Sequence, residues 1–344
     1  MANDFTLGVA QIDPRLGDVA ANLDLYEASL REAKGRGVDL LVFPELSLTG
    51  YFLKDMVSNV ALAPGAPALR RLEALSRDTV AFVAGAVEET PEYRFYNAAM
   101  LFDGGALRHV HRKAYLPTYG LFDEQRYLAR GERICAFDSR FGRAAILLCE
   151  DLWHPSTAYI AAMDGALTLL VPSASPVWGV ERGELPENAG YWQRLNAVTA
   201  ESYAMFLAYA NRVGFEDGVG FWGGSEILAP SGEVLARARY YEPDMIVAEI
   251  VPAAARRKRI AAPMLRDENL DLTINELMRI RGRAPVMPAA PQPAAAASAK
   301  RRAARARTAT LRSAKARQSK EARQRAKGPQ RTKASRRAKA PRRR

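Results

Sequence analysis

The sequence is short of the residues that would staple a fold or carry it across a membrane. Of 344 residues only two are cysteine, Cys135 and Cys149, which excludes a disulfide framework and reads as two reduced thiols. No stretch reaches the roughly 18 consecutive apolar residues of a membrane span. The first five residues, Met-Ala-Asn-Asp-Phe, have neither the basic nor the apolar region of a secretory leader. A cytoplasmic protein without membrane association is expected. The three histidines, His109, His111 and His154, lack a metal-ligand spacing, so neither a metal nor a cofactor is expected.

Charge is present but unevenly placed. Residues 284–344 hold 20 Lys or Arg and one acid, Glu321, while residues 1–283 hold 30 basic and 37 acidic residues. An acidic body therefore carries a strongly basic tail. The tail contains 19 alanines, no aromatic residue, and only Val286, Met287 and Leu311 as larger apolar residues, too little to repay the entropy of folding. It reads as disordered. A polycation of this density binds nucleic acid through counterion release, without sequence preference and without base stacking.

The body, with 48% apolar residues over the whole chain, is built for a sizeable core. A strand over 5–12, a helix with Val19, Leu23, Tyr26, Leu30 and Ala33 on one face, a strand over 38–43, a helix marked by Leu69, Leu72 and Leu75, and a strand over 80–87 give β-α-β-α order. A hairpin over 96–111 turns at Asp103-Gly104-Gly105. Further strands are expected over 144–148, 167–171 and 205–210, with a helix starting near Asp151, and antiparallel strands over 225–228, 234–238 and 246–250 close a mixed sheet. Arg256 to Arg259 reads as a basic connector, followed by an amphipathic helix with Leu270, Ile274, Leu277 and Ile280. The expected organisation is a catalytic domain over 1–252, a connector and helix over 253–283, and the tail over 284–344.

Three strand ends deliver reactive residues. Leu-Leu-Val-Phe-Pro-Glu (40–45) runs a buried strand into Glu45, whose apolar flanks suit a general base. The hairpin ends in His-Val-His-Arg-Lys (109–113), offering Lys113 as a cation. Ala-Ala-Ile-Leu-Leu-Cys-Glu-Asp (144–151) places Cys149 where a strand becomes a helix, so that backbone N–H groups favour a thiolate; the two acids that follow do not suit a core and oppose that charge.

Together these segments resemble the nitrilase, or carbon-nitrogen hydrolase, superfamily over about residues 5–252. Within it, Phe-Pro-Glu-Leu-Ser-Leu-Thr-Gly-Tyr (43–51), Leu-Pro-Thr-Tyr-Gly-Leu-Phe-Asp-Glu (116–124), Cys-Glu-Asp-Leu-Trp (149–153) and Ser-Ala-Ser-Pro (173–176) are similar to the glutaminase domain of glutamine-dependent NAD synthetases. The resemblance implies an α-β-β-α sandwich, commonly a homodimer. It also implies a Glu45-Lys113-Cys149 triad with Glu124 in support, acting on a small-molecule amide through a thioester. Glu150 is expected beside the nucleophile, its backbone N–H joining Lys113 at the oxyanion. Tyr51, Tyr119, Trp153, Ser175 and Trp178 are expected around the substrate. An amidase, a nitrilase and an N-carbamoyl amide hydrolase would all use this set. No Ser-Gly-Gly-x-Asp-Ser pyrophosphate loop occurs, so the chain alone is not expected to make NAD.

Overall fold

The computed structural model describes residues 3–178 and 185–283. The basic tail over 284–344, with the disorder and nucleic-acid binding expected of it, lies outside the described residues. Residues as far as Glu268 form one unit, and a second begins at Asn269.

The first unit starts with β1 (Phe5–Gln11), α1 (Val19–Gly35), β2 (Leu40–Val42), α2 (Val57–Val60), α3 (Pro67–Asp78), β3 (Ala81–Glu89), β4 (Phe95–Asp103), β5 (Ala106–Arg112) and α4 (Glu124–Tyr127). It continues with β6 (Ala136–Ser139), β7 (Gly142–Ile146), α5 (Glu150–Trp153), α6 (Pro155–Met163), β8 (Thr168–Ser173), α7 (Glu187–Tyr203) and β9 (Phe206–Asn211). The last elements are β10 (Val213–Glu216), β11 (Val219–Trp222), β12 (Glu226–Leu228), β13 (Val234–Arg237), β14 (Asp244–Ile250) and α8 (Pro252–Ala261).

Two six-stranded sheets result, ordered β14-β1-β2-β3-β4-β5 and β13-β12-β9-β8-β7-β6. Each has three central strands in parallel, one antiparallel strand on one side and two on the other. Central parallel strands are covered on both faces, so they read as unbroken apolar runs. Leu40 and Val42 face the opposite sheet, in one cluster with Ile146, Leu148 and Leu170. Leu41 and Phe43 face the other way, onto Tyr26 and Leu30 of α1 and Leu72 of α3. The second sheet repeats the pattern, with Ala145, Leu147 and Leu169 against Ala158 and Ala161 of α6 and Trp192 of α7. Helix, sheet, sheet and helix thus form the expected α-β-β-α sandwich.

Three expectations are corrected. The strand read over 246–250 does not join its predecessors: β14 pairs antiparallel with β1 in the first sheet. Helix α7 was not foreseen because its buried face mixes Asn188, Asn196 and Thr199 with Ala189 and Trp192, which blurs the apolar period. The basic stretch 256–259 belongs to α8, where Ala255 is buried in the inter-sheet cluster and the Arg259 guanidinium donates to the Ala166 carbonyl at 2.6 Å. The compact unit therefore runs beyond residue 252 to Glu268.

In the second unit, α9 (Leu270–Arg281) forms where an amphipathic helix was expected, with the Asn269 side chain accepting from the Leu272 N–H at 3.0 Å. Among the described residues no helix is long and apolar enough to cross a membrane.

Candidate active site

Glu45, Lys113, Glu124 and Cys149 come from four separate segments and meet between the two sheets' ends. Glu45 follows β2 in a turn where Leu46 takes φ of 48°, a strained value for leucine. The turn lies so close to β3 that a Cβ on Gly85 would come 2.4 Å from the Pro44 oxygen and 2.6 Å from the Leu46 nitrogen, so only glycine fits there. Lys113 stands one residue past β5. Its carbonyl accepts from the Gly131 N–H at 2.7 Å, and a Cβ on Gly131 would overlap the Arg112 oxygen at 2.0 Å.

The Lys113 ammonium has no solvent exposure and donates at 2.7 Å to both Glu45 Oε1 and Glu124 Oε1. Asn97 Nδ2 also donates to Glu45 Oε1, at 2.7 Å, and the Ala174 N–H donates to Glu45 Oε2 at 2.9 Å. Burial opposes the lysine's charge, but Glu124, Glu45 and Cys149 outweigh it and hold the pKa well above that of a free lysine. Burial, with Glu45 adding to it against the pull of Lys113, raises Glu124 to about 7. Glu124 Oε2 has no hydrogen-bond partner among the described residues. The Tyr51 hydroxyl donates to Glu124 Oε1.

Cys149 is held at φ 45° and ψ −100°, the left-handed side for a residue with a Cβ, at the turn from β7 into the four-residue α5. Its own N–H donates to the Pro172 carbonyl at 3.0 Å. Burial and the Glu45 charge push the thiol well above its ordinary pKa, opposed by Lys113 and by the Ala174 N–H. The expected thiolate is therefore corrected. At rest the sulfur keeps its proton, and a base is needed to remove it. The Glu150 N–H, at the start of α5, is one of the donors that a helix leaves without an intrahelical acceptor.

The acid after Glu150 also differs from expectation. Asp151 is fully buried and ties the cysteine turn to the lysine strand, accepting from the N–H groups of Ala114 and Tyr115 at 2.9 Å, of Leu148 at 3.0 Å, and pairing with His111 at 2.8 Å. Four partners explain why an acid tolerates that position. Neither Asp151 nor Asn97 was singled out by sequence, although the acid directly following Glu150 was visible.

A small hollow of about 30 Å³ opens onto Cys149 and is lined by Tyr119, Trp153 and Trp178, three of the residues expected around a substrate, and by Glu150. The Tyr119 hydroxyl donates to Glu150 Oε2 at 2.8 Å, and burial raises the Glu150 pKa. Ser175 also lines the hollow, but its hydroxyl is committed to the Asn188 amide at 3.1 Å and the Trp192 indole at 2.9 Å, so it holds the wall together. Tyr51 is a correction. It lies behind Glu124, in a separate apolar hollow of about 120 Å³ with Phe52, Phe122 and Tyr127. Its backbone N–H donates at 2.6 Å to Glu216, which forms a fully buried ion pair with Arg212. The β10–β11 hairpin thus anchors the Tyr51 loop, a link that depends on residues 165 positions apart.

A carboxylate, an ammonium and a cysteine thus stand at neighbouring strand ends of an α-β-β-α sandwich, the architecture of the nitrilase type. Residues 6–260 match the carbon-nitrogen hydrolase family, and this chain belongs to that family of hydrolases acting on carbon-nitrogen bonds. It is 32% identical over 246 residues to the glutamine-dependent NAD(+) synthetase of Thermotoga maritima, covering 70% of this chain and 41% of that protein. The chain thus spans less than half the length of this relative. An amidase from Nesterenkonia sp. superposes with a TM-score of 0.66 at 26% identity, covering 80% of this chain and 97% of that one. A carbon-nitrogen hydrolase from Helicobacter pylori shares the fold with a TM-score of 0.71 at 24% identity, covering 80% of this chain and 99% of its own.

Proposed function

We propose that this chain is an amidase that cleaves a small primary amide through a Cys149 thioester and releases ammonia. The observation that carries the reading is the Lys113 ammonium, bonded at 2.7 Å to Glu45 and Glu124 and felt electrostatically by Cys149. Glu45 takes the thiol proton as the sulfur attacks the amide carbon, and the oxyanion draws on Lys113 and the Glu150 N–H. The carbon-nitrogen bond breaks, ammonia leaving with the proton from Glu45. Water, deprotonated by the same carboxylate, then attacks the thioester. The acid departs and the sulfur recovers its proton. A glutamate-to-glutamine variant of the Nesterenkonia amidase carries the acetamide moiety of fluoroacetamide covalently on its active-site cysteine, which supports a nucleophilic sulfur at this position.

Glutamine heads the candidate substrates because the Thermotoga relative is glutamine-dependent. The test is ammonia release by the full-length chain from glutamine, asparagine, aliphatic amides, nitriles and N-carbamoyl amines, with Cys149→Ala as control. Amide turnover that the substitution abolishes is the expected result. Cys149-dependent turnover of nitriles or carbamoyl amines alone replaces the amidase with one of those activities. No Cys149-dependent turnover at all overturns the catalytic reading. The tail's 20 basic residues against one acid support separate nucleic-acid binding, expected as salt-sensitive retardation of DNA that is lost on removal of 284–344.

A further inference from the structure

One buried carboxylate holds the ammonium-bearing strand and the cysteine turn to each other. Asp151 Oδ1 accepts from the N–H groups of Ala114 and Tyr115, both at 2.9 Å, while Oδ2 accepts from the Leu148 N–H at 3.0 Å and meets His111 Nε2 at 2.8 Å. Those partners flank Lys113 on both sides, and Leu148 immediately precedes Cys149. An ionised carboxylate only accepts, so the hydrogen of the His111 contact lies on Nε2. Asp151 has no exposure and His111 has 3%, so water does not compete for these bonds.

Three of the four donors are backbone groups that any sequence supplies, whereas the fourth depends on residue type. Along β5, Ala-Leu-Arg-His-Val-His-Arg, the single buried position is given to His111 and not to an apolar residue. The contact governs both reacting groups. The Lys113 ammonium, on its long flexible stem, is shared by Glu45 and Glu124 at 2.7 Å, so its reach depends on where its backbone lies. The sulfur hangs on a residue at φ 45°, a conformation that persists only where its surroundings over-determine it. Asp151 does so twice, its N–H donating to the Leu148 carbonyl at 2.9 Å and its side chain taking the Leu148 N–H. Among the described residues the remaining hydrogen bond between the two segments comes from the exposed Tyr119 hydroxyl to Glu150.

Resting on the amidase reading above, we infer that His111 is a positioning residue for the hydrolysis. Through Asp151 it holds Lys113 and Cys149 in the separation that attack on the amide requires, and it does not itself touch the substrate. Without its N–H, Oδ2 keeps a single donor and the two segments gain freedom to slide.

The test uses the full-length chain and two substitutions. His111→Leu removes the donor and keeps the bulk, and His111→Gln places an amide nitrogen where Nε2 stood. On the amide of the panel above that is turned over fastest, His111→Leu is expected to lower kcat about 10- to 100-fold, the cost of a misplacement near 1 Å. KM should stay within about twofold, because no contact to substrate is removed. His111→Gln should recover most of the loss. A second readout needs no substrate: alkylation of Cys149 by iodoacetamide, in which the sulfur displaces iodide as Glu45 takes the thiol proton, followed at the Cys149 peptide by mass spectrometry. It should slow in parallel with kcat. A histidine that only supports the fold gives the opposite sign, since a loosened turn exposes the buried thiol and speeds alkylation, and that result overturns the inference. An unchanged kcat in His111→Leu, or an equal loss in His111→Gln, also overturns it. Should His111→Leu not fold, His111→Asn, whose amide is too short to reach Oδ2, takes its place with the same expected loss. Absence of Cys149-dependent turnover from every amide overturns the amidase reading instead, and the alkylation rates then decide by themselves whether His111 positions the thiol.

Discussion

Cys149 stands between two walls that differ in how their polar groups are spent. On the side of the first sheet, Glu45 uses both oxygens, accepting from Lys113, Asn97 and the Ala174 N–H, and the Lys113 ammonium is shared between two carboxylates. On the side of α7, Asn188 Oδ1 accepts nothing among the described residues and Glu150 is only half occupied. The first wall is assembled before substrate arrives, as a catalytic set must be when its job is to meet charge that develops only in the transition state. The second is left incomplete. On the proposed reading, the filled side is the one that breaks the bond.

The largest effect should come from the nucleophile shared by both walls. Cys149→Ala is expected to lower kcat for amide hydrolysis about 10,000-fold or more while binding of a slowly turned-over amide, read by calorimetry, persists. Persistent turnover would remove the cysteine from the reaction and collapse the comparison.

Lys113→Met tests the assembled wall. It removes one oxyanion donor, expected to cost about 100- to 1,000-fold in kcat, and leaves Glu45 and Glu124 buried together without their cation. Loss of one partner from a buried ion network typically costs about 3–5 kcal/mol, measurable by urea unfolding. A variant as stable as the parent would mean that the wall is not held by charge.

Glu124 sharpens the same side through pH. Its folded pKa of about 7 lies above the ordinary glutamate value of 4.5, so between those values the folded chain binds more protons than the unfolded one. The contribution of Glu124 to stability is therefore full below about pH 4.5, declines as pH rises through that window, and is lost above pH 7. Glu124→Gln should remove this slope. His109, lowered to about 4 by burial, contributes the opposite trend at acid pH, so the difference between parent and variant is the quantity to measure.

The smallest effect belongs to the less filled wall. Tyr119→Phe removes the hydroxyl bonded to Glu150 and frees that carboxylate for substrate. A change of several-fold in KM with kcat nearly unchanged is expected, since one hydrogen bond of about 1 kcal/mol is exchanged for another. A large loss of kcat instead would place Tyr119 with the catalytic wall.

The asymmetry reappears in what the sequence reveals. Glu45 and Cys149 stand past strands whose residues, Leu40 to Val42 and Ala144 to Ile146, are apolar because both faces are covered, whereas Lys113 follows the polar, part-exposed edge strand β5 and is marked by the hairpin that ends there. That local pattern survives translation into one dimension. Asn188 sits on a helix whose buried face is half polar, and the direction of its amide is set by Pro176, twelve residues away, which claims the nitrogen. No local period encodes such a choice.

By itself, then, the sequence determined the strand and helix periods, the layered α/β class, and the three strand ends that carry a carboxylate, an ammonium and a thiol, because side-chain alternation and strand termini are properties of neighbouring residues. Tertiary structure decided the rest. It put Lys113 between two carboxylates, drove the Cys149 pKa up instead of down, moved Tyr51 behind Glu124, paired β14 with β1, and left Asn188 Oδ1 without a partner. Burial, pairing and the direction of a hydrogen bond are set by residues distant in the chain and close in space, and only the folded chain brings them together.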